Sequence, residues 1–549
     1  MIRPCDNKTA LLLRLAVTAT CAAAFAACHA VGGPSWPAWL TFALLLWVIE
    51  TAGPSKALLS GWFFGGLAWA LVVCWFPPIM ARFLCVPTLA AYAPFLFVCA
   101  YQGFFFALWA GGVRLLTPRL AQALGDRPGL ALAWVSVSWM VALDGFFPQA
   151  YPVHLADSQT SHLPALQMME FFGSAGPAWL IMAFNTALYL ALRSPGRKRR
   201  WAFLAGLAAI VAANDWWGRA RLAQLSEILA REARAGQTVR LVVIQNAIPV
   251  SRELRPEWFA LNLDDNRRLT TEFLATQSPA LIIWPSYERI LKYENSGSAA
   301  RDFRIDGQKA QVVLGQDLPF PIPMIVSGRG QSAAGGKIRR FISAYLIDAE
   351  KTVLGVAEKK HMDPFADTIP VVGSLVPEVI YQRRASMVRR LTPGELLEPL
   401  TLPGMGKLGT TICYDALFAD STRSLADKGA GILIQLSSDV WFDDFRAREL
   451  FLRLTIPRAI ETRRFLIRAI NGGISAVIDP AGRVLARAPM NQKTSLAVEA
   501  VMRNEPTPYV RLGDIGYYLG LAAFLAALLL ACKNTLAGRL RVSATGPQG

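Results

Sequence analysis

Long apolar runs constrain this chain more than any other feature. They occupy much of residues 10–217 and return at roughly 515–532, while 218–512 has the composition of a globular domain. A membrane-crossing helix needs about 20 mostly apolar residues. The runs at 10–30, 35–51, 55–77, 88–112, 128–147, 171–192 and 199–216 meet or approach that length, as does 515–532. The pattern predicts an α-helical transmembrane bundle of about eight helices. Seven lie within 1–217, a globular region fills 218–512, an eighth span covers 513–534, and a cytoplasmic tail covers 535–549. The stretch 35–77 is hardest to divide, because Glu50, Pro54 and Lys56 mark only a short turn. A cleaved leader ending near Ala26-Ala27-Cys28 is the alternative for the first run, but more spans follow at once. Only 17% of the residues are charged, against about 25% in soluble domains.

Lysine and arginine give the orientation, because they accumulate on the cytoplasmic side of spans. Arg3 and Lys8 precede the first span, and Arg114, Arg119 and Arg127 follow the fourth. Arg193, Arg197, Lys198, Arg199 and Arg200 follow the sixth, and Lys533, Arg539 and Arg541 follow the eighth. The 148–170 loop carries neither residue type. Eight spans put all the basic clusters on one side and residues 218–512 on the other, which is the periplasm if the membrane is a bacterial inner membrane. The net charge of +17 is then a membrane-topology signal. With no zinc-finger or nucleotide-binding motif, no nucleic-acid partner is expected.

Of eight cysteines only Cys413 falls in the globular region, which excludes a disulfide framework within it. The four histidines, His29, His154, His162 and His361, show no metal-ligand spacing. No metal and no organic cofactor is expected.

Residues 218–512 alternate β-branched runs with helical stretches, the pattern of an α/β domain around a buried sheet. The predicted strands are Val239–Asn246, Ala280–Trp284, Gln311–Leu314, Met324–Ser327, Phe341–Ile347, Val353–Glu358, Gly406–Cys413, Ile432–Leu436, Phe465–Ile470 and Ile474–Asp479. Helices are predicted at 257–276, 419–428 and 446–462, and Asp479-Pro480-Ala481-Gly482 reads as the turn of a final hairpin.

Three strand ends carry candidate chemistry. Cys413 closes one, followed by Tyr414 and Asp415; it reads either as a nucleophile or as a small core residue. Lys359 closes a second; it reads as an oxyanion donor beside a thiol or as a solvated charge. Trp284-Pro285 closes a third, followed by Ser286, Tyr287 and Glu288. Convergence of the three would bring a carboxylate, a lysine and a cysteine together, a set able to run acyl transfer through a thioester.

In their order along the chain, these stretches resemble the carbon–nitrogen hydrolase (nitrilase) superfamily, whose catalytic set is Glu-Lys-Cys. The opening strand resembles Val243–Pro249. Lys359-Lys360-His361-Met362-Asp363-Pro364-Phe365-Ala366-Asp367 resembles the lysine motif K-x-H-L-V-P-F-G-E. Ile412-Cys413-Tyr414-Asp415 resembles I-C-Y-E, Ser438-Asp439-Val440-Trp441-Phe442 resembles N-D-x-W-F, and Arg468–Asp479 resembles the last strand pair. With its spans, nearly the whole chain is similar to the apolipoprotein N-acyltransferase family. The resemblance implies an αββα sandwich of nitrilase type held outside the cytoplasm. It implies Cys413 as nucleophile and Lys359 as oxyanion holder. Tyr414 and Asp415 would shape the pocket, with Asp367 as a supporting carboxylate and Trp441 either touching an acyl chain or serving as a core aromatic. The implied partners are a phospholipid acyl donor and an apolipoprotein acceptor.

The chain also departs from the pattern. Where the family has W-P-E, it has Ser286, and the nearest carboxylate is Glu288. Asp367 and Asp415 replace Glu, and Ser438 replaces Asn. Either Glu288 takes over as general base, or the domain is a catalytically altered module serving an envelope or conjugal-transfer assembly. The apolar stretch Ile369–Tyr381 reads as a lid near the membrane or as a buried loop. Arg446, Arg448 and Arg453 read as a solvated helix face or as lipid-phosphate contacts.

Overall fold

The computed structural model describes residues 7–544 apart from 85, 195, 250–258, 286–291, 296–318, 335–336, 351, 364–366, 368–390 and 396. The chain divides into two compact units. One comprises Met1–Pro78, Pro87–Arg221 and Asp514–Gly549, the other Ile79–Val86 and Leu222–Gly513.

The first unit is helical. Among the described residues six segments are long and apolar enough to cross a membrane: Lys8–Ala27, Pro54–Val72, Thr88–Ala123, Pro128–Phe146, Ala175–Arg193 and Ile515–Lys533. The chain is a membrane protein. Two of the eight predicted spans fall short of that standard. Ala38–Thr51 is helical for only 14 residues, about 21 Å at 1.5 Å per residue. The 199–216 run lies in a helix, Arg197–Arg234, whose apolar stretch is flanked by arginines and broken by Asn214 and Asp215.

Apolar burial alone does not hold helices together in lipid; close backbone approach and internal hydrogen bonds do. Gly61 and Gly65, four apart on Pro54–Val72, meet Thr88–Ala123 there. A Cβ on Gly61 would lie 2.3 Å from the Phe106 carbonyl oxygen, and one on Gly103 2.7 Å from that of Trp62. The gap left by the glycines is filled from the sides, where Phe64 meets Phe106 edge-on at 4.8 Å. Asn185 ties helices by polar contact. Its Oδ1 accepts from Ala43 N at 2.9 Å, and its Nδ2 donates to Ala38 O at 2.9 Å and Ile181 O at 2.8 Å. The buried Asp144 carboxylate accepts from Leu155 N at 3.0 Å and from the Tyr517 hydroxyl at 2.8 Å.

The second unit contains two sheets. The first has the order β13-β1-β2-β4-β5-β6, with β3 also on β4. Its strands are β1 (Thr238–Gln245), β2 (Leu281–Ile283), β3 (Lys292–Asn295), β4 (Met324–Ala334), β5 (Lys337–Ile347), β6 (Val353–Glu358) and β13 (Thr494–Val501). The second has the order β12-β11-β10-β9-β8-β7. Its strands are β7 (Leu400–Leu402), β8 (Gly406–Ile412), β9 (Ile432–Ser438), β10 (Phe465–Asn471), β11 (Ala476–Ile478) and β12 (Val484–Arg487).

Side-chain alternation decides how the sheets pack, since successive residues of a strand face opposite sides. Leu241, Val243, Leu281 and Ile283 share one core with Leu408, Ile412, Ile432, Ile434 and Ile467 of the other sheet. Their neighbours Val242, Ile244 and Ile282 form a second core with Leu263, Leu269 and Phe273 of the helix Phe259–Leu274. On the second sheet, Arg468 of β10 donates through Nη1 to Phe451 O and Thr455 Oγ1 of the helix Phe445–Thr462, at 2.9 and 3.0 Å. The layering is αββα, as the resemblance implies.

The Asp479 turn forms, with the Asp479 carboxylate accepting from Ala481 N and Arg483 N at 2.9 Å each. It closes the last hairpin, β11–β12, after which the chain runs on to β13 in the other sheet. That strand went unpredicted although the alternation of Ala497, Val498, Glu499 and Ala500 signals it. The predicted strand Gln311–Leu314 and the stretch Ile369–Tyr381 lie outside the described residues.

Candidate active site

Topology brings the candidate residues to one type of edge. β8 and β9 are parallel, so Cys413 and the Ser438–Phe442 loop leave the second sheet at the same edge. β2 runs parallel to β4, and β6 returns parallel to β4 through the antiparallel β5, so Trp284 and Lys359 leave the first sheet at the same edge. Carboxyl ends of parallel strands are where sites form in such sheets.

Cys413 stands at the first turn after β8 with φ +54°. A non-glycine residue is strained in this left-handed region, and such strain gathers at functional sites. The conformation is held by the Gln435 side chain, whose Nε2 donates to Cys413 O at 3.1 Å, and by Asp415. The Asp415 carboxylate accepts from His361 N at 2.6 Å and from Lys360 N at 3.2 Å. One buried carboxylate therefore ties the turn after β8 to the segment after β6, fixing Lys359 relative to Cys413. Burial lifts the Asp415 carboxyl to about 6, against the pull of those backbone donors.

Lys359 is 2% exposed, which rules out the solvated strand-end charge. Its Nζ donates to Asp367 Oδ2, which also accepts from Asp363 N at 2.9 Å. Burial alone would lower the ammonium, but the Asp367 carboxylate, the Cys413 sulfur and Asp363 outweigh it and hold Lys359 well above the ordinary lysine value. Cys413 keeps partial solvent exposure, yet protein crowds its sulfur. Burial pushes the thiol up to about 11; Lys359 lowers it, while Asp363, Asp367 and Asp439 raise it further. At neutral pH the site therefore holds an ammonium and a neutral thiol, and the thiol needs a base.

The remaining predicted residues fall as follows. Tyr414 is buried, with its ring edge-on to Phe418 at 4.9 Å. Trp441 is partly exposed in the loop after β9, while Phe442 stacks on Phe451 at 4.6 Å as a packing aromatic. Ser286 and Glu288 lie outside the described residues. Two of the three arginines do not form a solvated or phosphate-facing surface: Arg448 is 3% and Arg453 8% exposed. Arg448 pins the loop after β9, donating to Phe442 O at 2.6 Å, Gly472 O at 2.9 Å and Asn491 Oδ1 at 2.8 Å.

Sequence reading missed a clamp beneath the site. Asp420 accepts from Lys360 Nζ at 2.7 Å and pairs with His361 Nε2 at 3.1 Å, and His361 lies flat on Phe418 at 3.9 Å. Burial would raise the Asp420 carboxyl, but the His361 and Lys360 bonds hold it well below the usual carboxylate range. Separated by about 60 positions, these residues carry no local signal.

A strained cysteine beside a buried lysine, on a two-sheet sandwich flanked by helices, defines a carbon–nitrogen hydrolase domain in a membrane protein. Residues 318–505 match that family, described as carbon-nitrogen hydrolase. The apolipoprotein N-acyltransferase of Geobacter metallireducens is 24% identical over 504 residues, 90% of this chain and 91% of that one. That of Gloeobacter violaceus is 28% identical over 538 residues, 91% and 90% of the two chains. Among solved structures, a carbon–nitrogen hydrolase from Helicobacter pylori G27 is 20% identical with a TM-score of 0.35, covering 53% of this chain and 94% of that one. The chain is a divergent relative of the apolipoprotein N-acyltransferase family.

Proposed function

We propose that this protein is an inner-membrane N-acyltransferase. Its sandwich domain would face the periplasm and move an acyl chain from a phospholipid through a Cys413 thioester to the terminal amine of a diacylglyceryl-cysteine on an apolipoprotein. The observation that carries the reading is the strained Cys413 turn locked by Asp415 to the segment bearing the buried Lys359. Likeness to acyltransferases over nine-tenths of the chain supports the reaction class.

In this reading Sγ attacks the ester carbonyl and Lys359 Nζ holds the developing oxyanion, an interaction worth about 10²–10³ in rate when one such donor is removed. Asp367 fixes the ammonium, and its charge keeps Lys359 protonated through the cycle. Trp441, partly exposed near the same edge, would contact the acyl chain. Glu288 is the carboxylate nearest in sequence to the vacant base position at Ser286.

Membranes carrying the full chain, given a phospholipid with an alkyne-tagged acyl chain, should acquire a hydroxylamine-labile tag on Cys413, absent from Cys413→Ala. If the parent acquires none, the thioester mechanism fails. The second reading, a non-catalytic envelope or conjugal-transfer module, is favoured by Ser286. It predicts no tag and no rescue of cells depleted of their own N-acyltransferase.

A further inference from the structure

On the second sheet Leu408, Ile412, Ile432, Ile434, Ile467 and Ala469 all turn to the core between the sheets. Their neighbours on β8, β9 and β10 therefore face the other way, towards the helix Phe445–Thr462. There Thr411, Gln435 and Arg468 stand level across the three strands. All three are buried, Gln435 at 2% exposure. A polar row on a buried face is costly unless its hydrogen bonds are made. Among the described residues this row makes only some of them. Thr411 Oγ1 donates to Ile434 O at 3.3 Å. Arg468 uses Nη1, but its Nε and Nη2 have no hydrogen-bond partner, and neither has Gln435 Oε1. Gln435 commits its Nε2 to the carbonyl oxygen of Cys413, at 3.1 Å.

We propose that Gln435 is a positioning residue for the nucleophile: it holds the Cys413 carbonyl so that the turn stays left-handed and presents the sulfur to substrate. The inference rests on the reading of Cys413 as the nucleophile. The competing conformation shows why a hold is needed. At φ +54° Cys413 is in a region disfavoured for a residue with a Cβ. Relaxed to the extended backbone of β8, it would continue the alternation and share a face with Thr411. Its sulfur would then turn to the helix side of the sheet. The Gln435 bond and the Asp415 tie oppose that relaxation. An amide suits the task, because the carbonyl needs a donor and an amide donates at every pH, whereas a carboxyl donates only when protonated. An ionised glutamate in this place would be repelled by the carbonyl and drawn to the free Nε and Nη2 of Arg468, one strand away. The charged and titratable groups around the row are Arg468 of β10, Cys413 and Asp439 from the two loops, and Arg448 and Glu449 of the helix.

Two measurements on the full chain in membranes test this. The first is the rate at which alkyne-tagged phospholipid acylates Cys413. Gln435→Met, close in volume and without a donor, should lose about tenfold. Gln435→Glu separates holding from packing. Its rate relative to the parent should be low at pH 8, where the side chain is ionised, and climb as pH falls towards about 5 and the carboxyl takes up its proton. Gln435→Met should show no such climb. A loss in Gln435→Met of less than about threefold, below what one hydrogen bond is worth, overturns the assignment. So does a Gln435→Glu ratio that stays flat between those pH values.

The second is alkylation of Cys413 by iodoacetamide, read by mass spectrometry of its peptide, which needs no acyl transfer. Relaxation turns the sulfur inwards, so Gln435→Met should slow alkylation of Cys413 and leave that of the exposed Cys74 unchanged. Alkylation of Cys413 as fast as in the parent, or faster, overturns the proposal. A residue that merely packed would lower the melting transition and leave both rates per folded molecule at the parent value. Should Gln435→Met not fold, the pH profile of Gln435→Glu, read on either rate relative to the parent, decides. If the parent alkylates but never forms a thioester, acyl transfer fails while the alkylation comparison still judges Gln435.

Discussion

The helical unit and the sandwich unit bury polar groups for different ends. In the helical unit, Asn185 fills three hydrogen bonds and Asp144 takes a backbone N–H and a tyrosine hydroxyl, so each side chain acts as a tie between helices. In the sandwich, burial sets charge against charge around one sulfur. Lys359 is held charged, Cys413 neutral, and Asp363 poised near neutrality. The first arrangement lowers the energy of a packed state. The second keeps groups ready to change protonation, at some cost in stability.

The widest separation between the units should come from Lys359→Met. It removes the oxyanion donor and leaves Asp367 unpaired, so acylation of Cys413 should drop by about 10²–10³. An equivalent polar deletion in the helical unit, Asn185→Leu, should move the melting transition instead and leave per-molecule acylation near the parent value. Loss of acylation in Asn185→Leu at full folding would break the distinction.

Next in size is Arg448→Met. It frees the buried carbonyls of Phe442 and Gly472, at about 3 kcal/mol, and should appear as earlier thermal or denaturant unfolding of the sandwich. In the helical unit the matching lesion is steric. Gly61→Leu puts a side chain where a Cβ already meets the Phe106 carbonyl at 2.3 Å, and overpacking of this kind costs about 1–3 kcal/mol. Detergent-melting curves should shift for Gly61→Leu and not for Gly53→Ala, whose Cβ meets nothing within 4 Å.

The smallest effect concerns pH. The folded Asp363 value of about 7 lies above its ordinary 3.8, so the folded state binds the proton more tightly than the unfolded state. Stability is therefore fully retained below about pH 4 and declines as pH rises through 7. Asp363→Asn should remove that decline, melting with the parent at pH 4 and above it at pH 8. A variant less stable than the parent at pH 8 would mean that Lys359 depends on Asp363 more than on Asp367.

How far the sequence could be read depended on whether a signal was periodic or pairwise. Apolar runs located eight helical segments, because each needs only its own composition. Two of them fall short of a full span by length and composition. The 35–51 run counted residues before Ala38 that are not helical, and 199–216 ignored the charged groups within and around it. Alternation placed several strands within a residue or two, as at Val353–Glu358, but missed β3, β7, β12 and β13.

Cys413 and Lys359 were legible as strand ends because chain direction alone puts such residues at a sheet edge. The strain at Cys413, the Asp415 tie, the Asp420–His361–Phe418 clamp and the burial of Arg448 were not, since each joins residues distant in sequence. Asp363 stood in plain view inside the lysine motif as an ordinary acidic residue. Composition by itself determined that this chain enters a membrane and folds an α/β domain, because hydrophobic patterning acts locally and additively. Only the tertiary structure decided which carboxylates are spent on hydrogen bonds around the thiol and the lysine. Burial and pairing, which set a group's proton affinity, exist only once the two sheets have closed on each other.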